Sequence, residues 1–271
     1  MYKLFVCLIF CLNINQLLHS QDYSFLKKYS YLLETKGPDG ISVGTCFFYK
    51  TEKHTYLLSN YHCLTGMNTM GGPDRTVDTI LVKYRKANSD STKFIVLDMT
   101  KQRVKFKKIY FNERPDFFSY WITKPEDFNV NYINDLIIAD NSKNDPKLIV
   151  SYGFTTSLDH KKINQSFLTC NYDSTNFTKL KSYMYSLNPN DPKSNIDSYV
   201  DKAKMINNLL SFNADSGRSG SPVFAKDIIY DHGKMVTKYV FYGIILANNK
   251  ELKKAWVVKR EEIIKVLGQL E

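Results

Sequence analysis

From about residue 41 the chain is a succession of short runs rich in Val, Ile, Phe and Tyr, parted by polar turns of the kind seen in Gly37-Pro38-Asp39-Gly40. The runs fall near 41–49, 54–59, 78–84, 93–98, 105–111, 117–122, 135–139, 147–153, 164–171, 180–187, 221–230, 236–246 and 254–258. Residues of this kind in runs of this length fit strands. Roughly a dozen strands without helical stretches between them can bury their apolar faces only as packed sheets or closed barrels. The end of the chain differs. Ile263, Ile264, Val266 and Leu267 are spaced for one apolar helical face, which predicts a closing helix over 259–270. A second helix is expected around 23–34. The polar stretch 187–208, containing Asn188-Pro189-Asn190-Asp191-Pro192, reads as a surface loop with a short helix at 196–205.

The first twenty residues stand apart. Lys3 is their only Lys or Arg, an apolar run over 4–12 follows, and Ser20 offers a small residue before Gln21. This is the pattern of a secretory leader, 1–20, and the mature protein is expected to be secreted or periplasmic. A spanning helix needs about 20 apolar residues. The run at 4–12 is too short, breaks at Asn13 and Asn15, and has no longer counterpart in the chain. No membrane span is expected in the mature protein. A hydrophobic content of 43% is ordinary for a chain that buries a real core, and excludes a disordered or fibrous class.

Of five cysteines, Cys7 and Cys11 fall in the leader, which leaves Cys46, Cys63 and Cys170. Three can form one intramolecular bridge at most. A small buried apolar residue is the plain alternative for each, Cys170 included. No CxxC or HxxxH spacing exists, so neither a metal nor a cofactor is expected. The net charge of +10 draws a protein toward anionic partners in general. Its lysines are spread along the chain, however, and the densest groups, 101–108 and 179–181, lie beside strand-like residues. They form neither a basic helix nor an aromatic stacking platform, so no nucleic-acid partner is expected.

Three segments carry chemistry. In Asp215-Ser216-Gly217-Arg218-Ser219-Gly220-Ser221-Pro222-Val223-Phe224, glycines at 217 and 220 permit a tight turn that exposes a serine oxygen while backbone N–H groups converge beside it. In Gly44-Thr45-Cys46-Phe47-Phe48 and Tyr56-Leu57-Leu58-Ser59-Asn60-Tyr61-His62-Cys63, a hairpin delivers His62 at the end of its second strand. A lone histidine is more often structural than catalytic, and His54, His160 and His232 lie in turn-like surroundings. In Asn134-Asp135-Leu136-Ile137-Ile138-Ala139 an acid heads a buried-looking strand. An Asp there is commonly a turn former, and Asp116 and Asp127 are alternatives.

Together these strings resemble the trypsin-like serine proteases, most closely the bacterial branch with Gly-x-Ser-Gly-Ser-Pro. Gly-Thr-x-Phe-Phe followed by a strand ending in Ser-x-x-His is similar to the segment that carries that family's histidine. The order His, Asp, Ser also agrees with the family and disagrees with subtilisin and α/β-hydrolase orders. Leu148-Ile149-Val150-Ser151-Tyr152-Gly153-Phe154, Phe241-Tyr242-Gly243-Ile244-Ile245 and the closing helix extend the resemblance over nearly the whole mature chain.

The resemblance implies an all-β fold of two six-stranded antiparallel β-barrels packed face to face, with a C-terminal helix. The first barrel, 21–145, would carry His62 and Asp135, and the second, 146–271, would carry Ser219. It implies Ser219 as nucleophile, His62 as general base, Asp135 as the orienting carboxylate, and the N–H groups of Gly217 and Ser219 as oxyanion donors. It implies a Cys46–Cys63 bridge, whose loop closure would contribute about 3 kcal/mol. It implies a substrate pocket built from Asn213, Ala214, Leu246, Ala247 and Asn248, and polypeptide substrates. Three departures limit the transfer. Arg218 stands where animal trypsins have an aspartate, and either points to solvent or reaches an acid such as Asp215. Asn213 stands where an acid would select Lys or Arg. Tyr152-Gly153 replaces the family's Gly-Tyr-Pro. The expected activity is that of a secreted serine endopeptidase. The alternatives are a protease-fold binding module that no longer cuts, and an esterase with the same triad.

Overall fold

The turn Gly37-Pro38-Asp39-Gly40 joins β1 (Tyr31–Gly37) to β2 (Gly40–Lys50) as an antiparallel hairpin, with Gly37 opposite Gly40 and Tyr31 opposite Cys46. This hairpin is the centre of the first of two sheets in the computed structural model. The structure describes residues 23–85, 92–100, 107–124, 130–134, 136–139, 148–156, 162–212, 214, 217–231 and 233–271. The leader, 1–20, lies outside these, as do Asp127, Asp135, Asn213 and Asp215.

Around the hairpin stand β3 (Thr55–Ser59), β4 (Thr79–Arg85), β5 (Thr92–Asp98), β6 (Phe118–Ile122) and β7 (Tyr132–Ile133). The order is β5-β4-β1-β2-β3-β6, and β7 pairs in parallel with β2. A short helix α1 (Tyr61–Thr65) follows β3 after a single residue, Asn60. The second sheet holds β8 (Leu136–Ala139), β9 (Leu148–Thr156), β10 (Ile163–Asn171), β11 (Asn207–Leu210), β12 (Pro222–Asp231), β13 (Lys234–Asn249) and β14 (Lys254–Lys259). Its order is β10-β9-β12-β13-β14-β11, with β8 beside β13. Helices α2 (Asn176–Leu187) and α3 (Lys193–Ile206) separate β10 from β11, and α4 (Arg260–Leu270) closes the chain. The protein is therefore mostly β, two antiparallel sheets of the chymotrypsin-like kind with a C-terminal helix. Each sheet has a path of six strands, and β7 and β8 are extra strands laid beside those paths.

Four readings of the sequence change. The helix expected over 23–34 is a 3₁₀ turn, Ser24–Tyr29, followed by β1. The strand expected over 180–187 is the greater part of the helix α2. The short helix inside the polar stretch is the fourteen-residue α3. Of the strand expected over 105–111, residues 107–111 are irregular, and 105 and 106 lie outside the described residues.

The core crosses between the sheets. Phe47, Tyr49 and Leu58 of the first sheet belong to one apolar cluster with Val150, Tyr152, Phe224, Phe241, Ile244 and Trp256 of the second. Phe241 meets Phe47 at 5.4 Å and Tyr49 at 5.6 Å between ring centroids. The chain ends are exchanged across this seam. Tyr23 and Phe25 pack on Tyr239 of β13, and Ser30 Oγ donates to the carbonyl of Tyr152 in β9. At the other end Ile263 and Leu267 of α4 enter the shared core, and Thr51, beyond β2, donates to the side chain of Glu271.

Candidate active site

His62 is the second residue of α1, and its place follows from how that helix is held. Gly66 ends the helix at φ 76°, a left-handed conformation that suits glycine, and its N–H donates to the carbonyl of His62 at 3.0 Å. At the other end Asn60 Nδ2 donates to the carbonyl of Asp116 at 2.9 Å. Strand β6 begins two residues after Asp116 and pairs Phe118 with Ser59, so the entry to β6 lies opposite the exit of β3. That pairing brings Asp116 to the histidine. Its Oδ2 lies 2.8 Å from His62 Nδ1, and its Oδ1 accepts the His62 backbone N–H at 3.1 Å. Thr69 Oγ1 also donates to Oδ2. The carboxylate is fully buried, and each of its oxygens has a hydrogen-bond partner.

The carboxylate at the histidine is thus Asp116, where the sequence reading placed Asp135. Asp135 itself lies outside the described residues, but the strand that follows it, β8, joins the second sheet beside β13.

Cys63 Sγ lies 3.4 Å from His62 Nε2, on the opposite side of the ring from Asp116. The bridge implied for Cys46 and Cys63 is not formed, and both are free buried thiols. Cys46 Sγ is directed to the carbonyl of Tyr31 on the neighbouring strand, at 3.7 Å, while Cys63 is taken up by the imidazole. The surroundings of His62 act in opposite directions. Burial pulls its pKa down, but the charges of Cys63 and Asp116 and their hydrogen bonds outweigh it and hold the imidazole well above its usual range. Burial, reinforced by Cys63, pushes the Cys46 thiol well up.

Ser219 sits in a loop held by both sheets. Its carbonyl accepts from Thr45 N in β2 at 2.9 Å, while Gly220 N donates to the carbonyl of Ile245 in β13 at 2.9 Å. Gly217 and Gly220 have φ of 89° and 87°, as the turn requires. A Cβ on Gly220 would collide with the carbonyl of Thr45 and with Ser59 Oγ. The Ser219 N–H has no acceptor among the described residues. Ser219 Oγ donates to the carbonyl of Leu246 at 3.0 Å. Serine and histidine line one cleft of about 190 Å³, with Leu246 and Ala247 on one side and the segment after α1 on the other.

The remaining expected site residues are dispersed. Ala214 is buried with Phe212, Leu210 and Val223 in a core cluster of the second sheet, away from the cleft lining. Asn248 follows Ala247 on β13 but does not line the cleft. Arg218 points neither to solvent nor into the cleft. It is 1% exposed and donates to Ser166 of β10. Thr69 and the segment 66–75 were not singled out from the sequence. The only local sign was Gly66, five residues before a second glycine, Gly71.

Among the described residues no helix is long and apolar enough to cross a membrane. No family model matches the chain, and no curated protein matches it. Solved structures similar to it include a thermostable serine protease, AL20, from an extremophilic microorganism. It has 11% identity and a TM-score of 0.47, over 88% of this chain and 94% of that one. The protease Anisep from Arthrobacter nicotinovorans has 12% identity and a TM-score of 0.45, over 86% and 90%. An HtrA-type protease, AlgW, with a tripeptide has 13% identity and a TM-score of 0.45, over 90% of this chain and 60% of that one.

Proposed function

We propose that the chain is an exported serine endopeptidase that cuts peptide bonds through Ser219, His62 and Asp116. The observation that carries the proposal is the 2.8 Å contact from Asp116 to His62 Nδ1, with the same histidine sharing a cleft with Ser219. A carboxylate on Nδ1 fixes the tautomer in which Nε2 accepts a proton. Ser219 turns about its Cα–Cβ bond from the Leu246 carbonyl to Nε2 and attacks the substrate carbonyl as His62 takes its proton. The oxyanion accepts from the N–H groups of Gly217 and Ser219, each such donor being worth about 3 kcal/mol in this chemistry. His62 then gives the proton to the leaving amine, and water attacking with His62 as base releases the acyl group.

A second reading is supported by the same atoms. Ser219 is bonded to Leu246 and His62 Nε2 faces Cys63, an arrangement that suits a latent enzyme or a module that binds without cutting. Fluorophosphonate labelling of the mature protein beside Ser219→Ala separates the two. Labelling of the wild type that vanishes in the variant is the expected result. No labelling of the folded wild type would replace the protease reading with the second.

A further inference from the structure

The cleft beside His62 and Ser219 is small, about 190 Å³, against the roughly 300–1,000 Å³ of a pocket for a whole small molecule. It has room for about one side chain. One wall is Leu246 and Ala247. The other is the loop after α1, which presents Asn68, Thr69, Met70, Pro73 and Arg75. This loop is held firmly with respect to the histidine. His62 O accepts from Gly66 N, Gly66 O accepts from Arg75 N at 2.7 Å, Asn68 N donates to Asp74 Oδ1 at 2.7 Å, and Phe111 N donates to Thr69 O at 3.2 Å. Arg75 is thereby fixed in register with the catalytic helix.

The charges around it do not cancel. Asp74, the neighbouring acid, is paired with Lys108, which holds its carboxyl below the usual range. Asp39 lines the hollow on the far side of Arg75, where its Oδ2 accepts from Thr76 N at 3.2 Å. Asp116 is enclosed by His62 and Thr69. Among the described residues Arg75 makes no ion pair. A planar, permanently charged donor therefore belongs to the lining of a cleft whose other side chains, polar Asn68 and Thr69 among them, include no acid, in a protein of net charge +10.

We propose that Arg75 makes this subsite select a carboxylate, so that the preferred substrates are acidic peptides with Glu or Asp next to the bond that is cut. The proposal rests on the protease reading and deepens it. Met70, Pro73 and Ala247 receive the methylenes of the side chain, and the guanidinium donates to its two carboxylate oxygens in a charge-assisted pair.

The test is cleavage profiling of the wild-type protein on a peptide library, followed by matched Glu and Gln peptides with wild type, Arg75→Gln and Arg75→Glu. The expected result is an acid preference at one position beside the cut, about tenfold in kcat/KM, as one charge-assisted hydrogen bond provides. It should be lost in Arg75→Gln and turned toward Lys or Arg in Arg75→Glu. A preference that is absent, or that survives both substitutions, overturns the proposal. Affinities of Ser219→Ala for the same Glu and Gln peptides decide the point without turnover. Equal affinities overturn the proposal, whereas a Glu preference in binding without fluorophosphonate labelling of the wild type upholds it and removes the protease reading.

Discussion

His62 is held between two groups that act on its two nitrogens. Asp116 fixes Nδ1 and Cys63 faces Nε2, and both keep the imidazole protonated to a higher pH than an unperturbed histidine, whose pKa is about 6.5. Catalysis needs the neutral ring, so the acid limb of the kcat/KM profile should lie above that value. Asp116→Asn should lower kcat by about 10⁴-fold and move the limb down, and Cys63→Ala should move the limb down while leaving the tautomer fixed. A pH–rate profile of the three proteins checks this. The same shift has an opposite effect on stability. Because the folded pKa is the higher one, the protonated ring stabilises the folded state fully below the unfolded value, and that contribution is lost as pH rises through the folded one. The conditions that switch the base on are thus those in which it no longer supports the fold. The sequence alone made His62 and Ser219 legible through their flanking strings. It could not choose among acids, since Asp116 and Asp135 both stand near the head of a strand. Only the pairing of β3 with β6 distinguishes them.

At the scale of elements, the loop carrying Ser219 is a point where the two sheets are joined by hydrogen bonds on either side of that residue. Two neighbouring residues should therefore respond in contrasting ways. Gly220→Ala puts a Cβ against Thr45 and Ser59 at a φ that non-glycine residues avoid, and should cost at least about 1–3 kcal/mol and abolish labelling of Ser219. Ser221 has a buried hydroxyl with no hydrogen-bond partner among the described residues, so Ser221→Ala should leave stability unchanged or raise it slightly. Urea unfolding of both variants measures the difference. The elements misread from the sequence share one cause. β1 buries its first five residues on both faces, so its Tyr-Leu-Leu run lacks the alternation that marks a half-exposed strand. The aromatic-rich stretch at 180–187 has strand composition, while its packing follows helical spacing, with Leu180 buried and Phe177 and Met184 partly buried against the core. Periodicity cannot settle runs this short.

At the scale of the whole molecule, the cleft is only as rigid as the seam between the sheets. Phe241 occupies that seam, 1% exposed and touching rings from β2 and β12. Phe241→Ala should cost about 3–5 kcal/mol. Because the core is shared, tryptophan fluorescence and far-UV circular dichroism should still report one coincident unfolding transition rather than two. Separate transitions would show that the sheets are independent units.

The exchange of the chain ends has a consequence for the order of events in synthesis. Tyr23 and Phe25 are made roughly two hundred residues before their partner Tyr239, and Ile263 and Leu267 of the helix that enters the shared core follow later still. No partial chain can hold Ser219 against β2 with both ends clasped. The cleft beside His62 therefore takes its shape only late in synthesis, after α4 has been made.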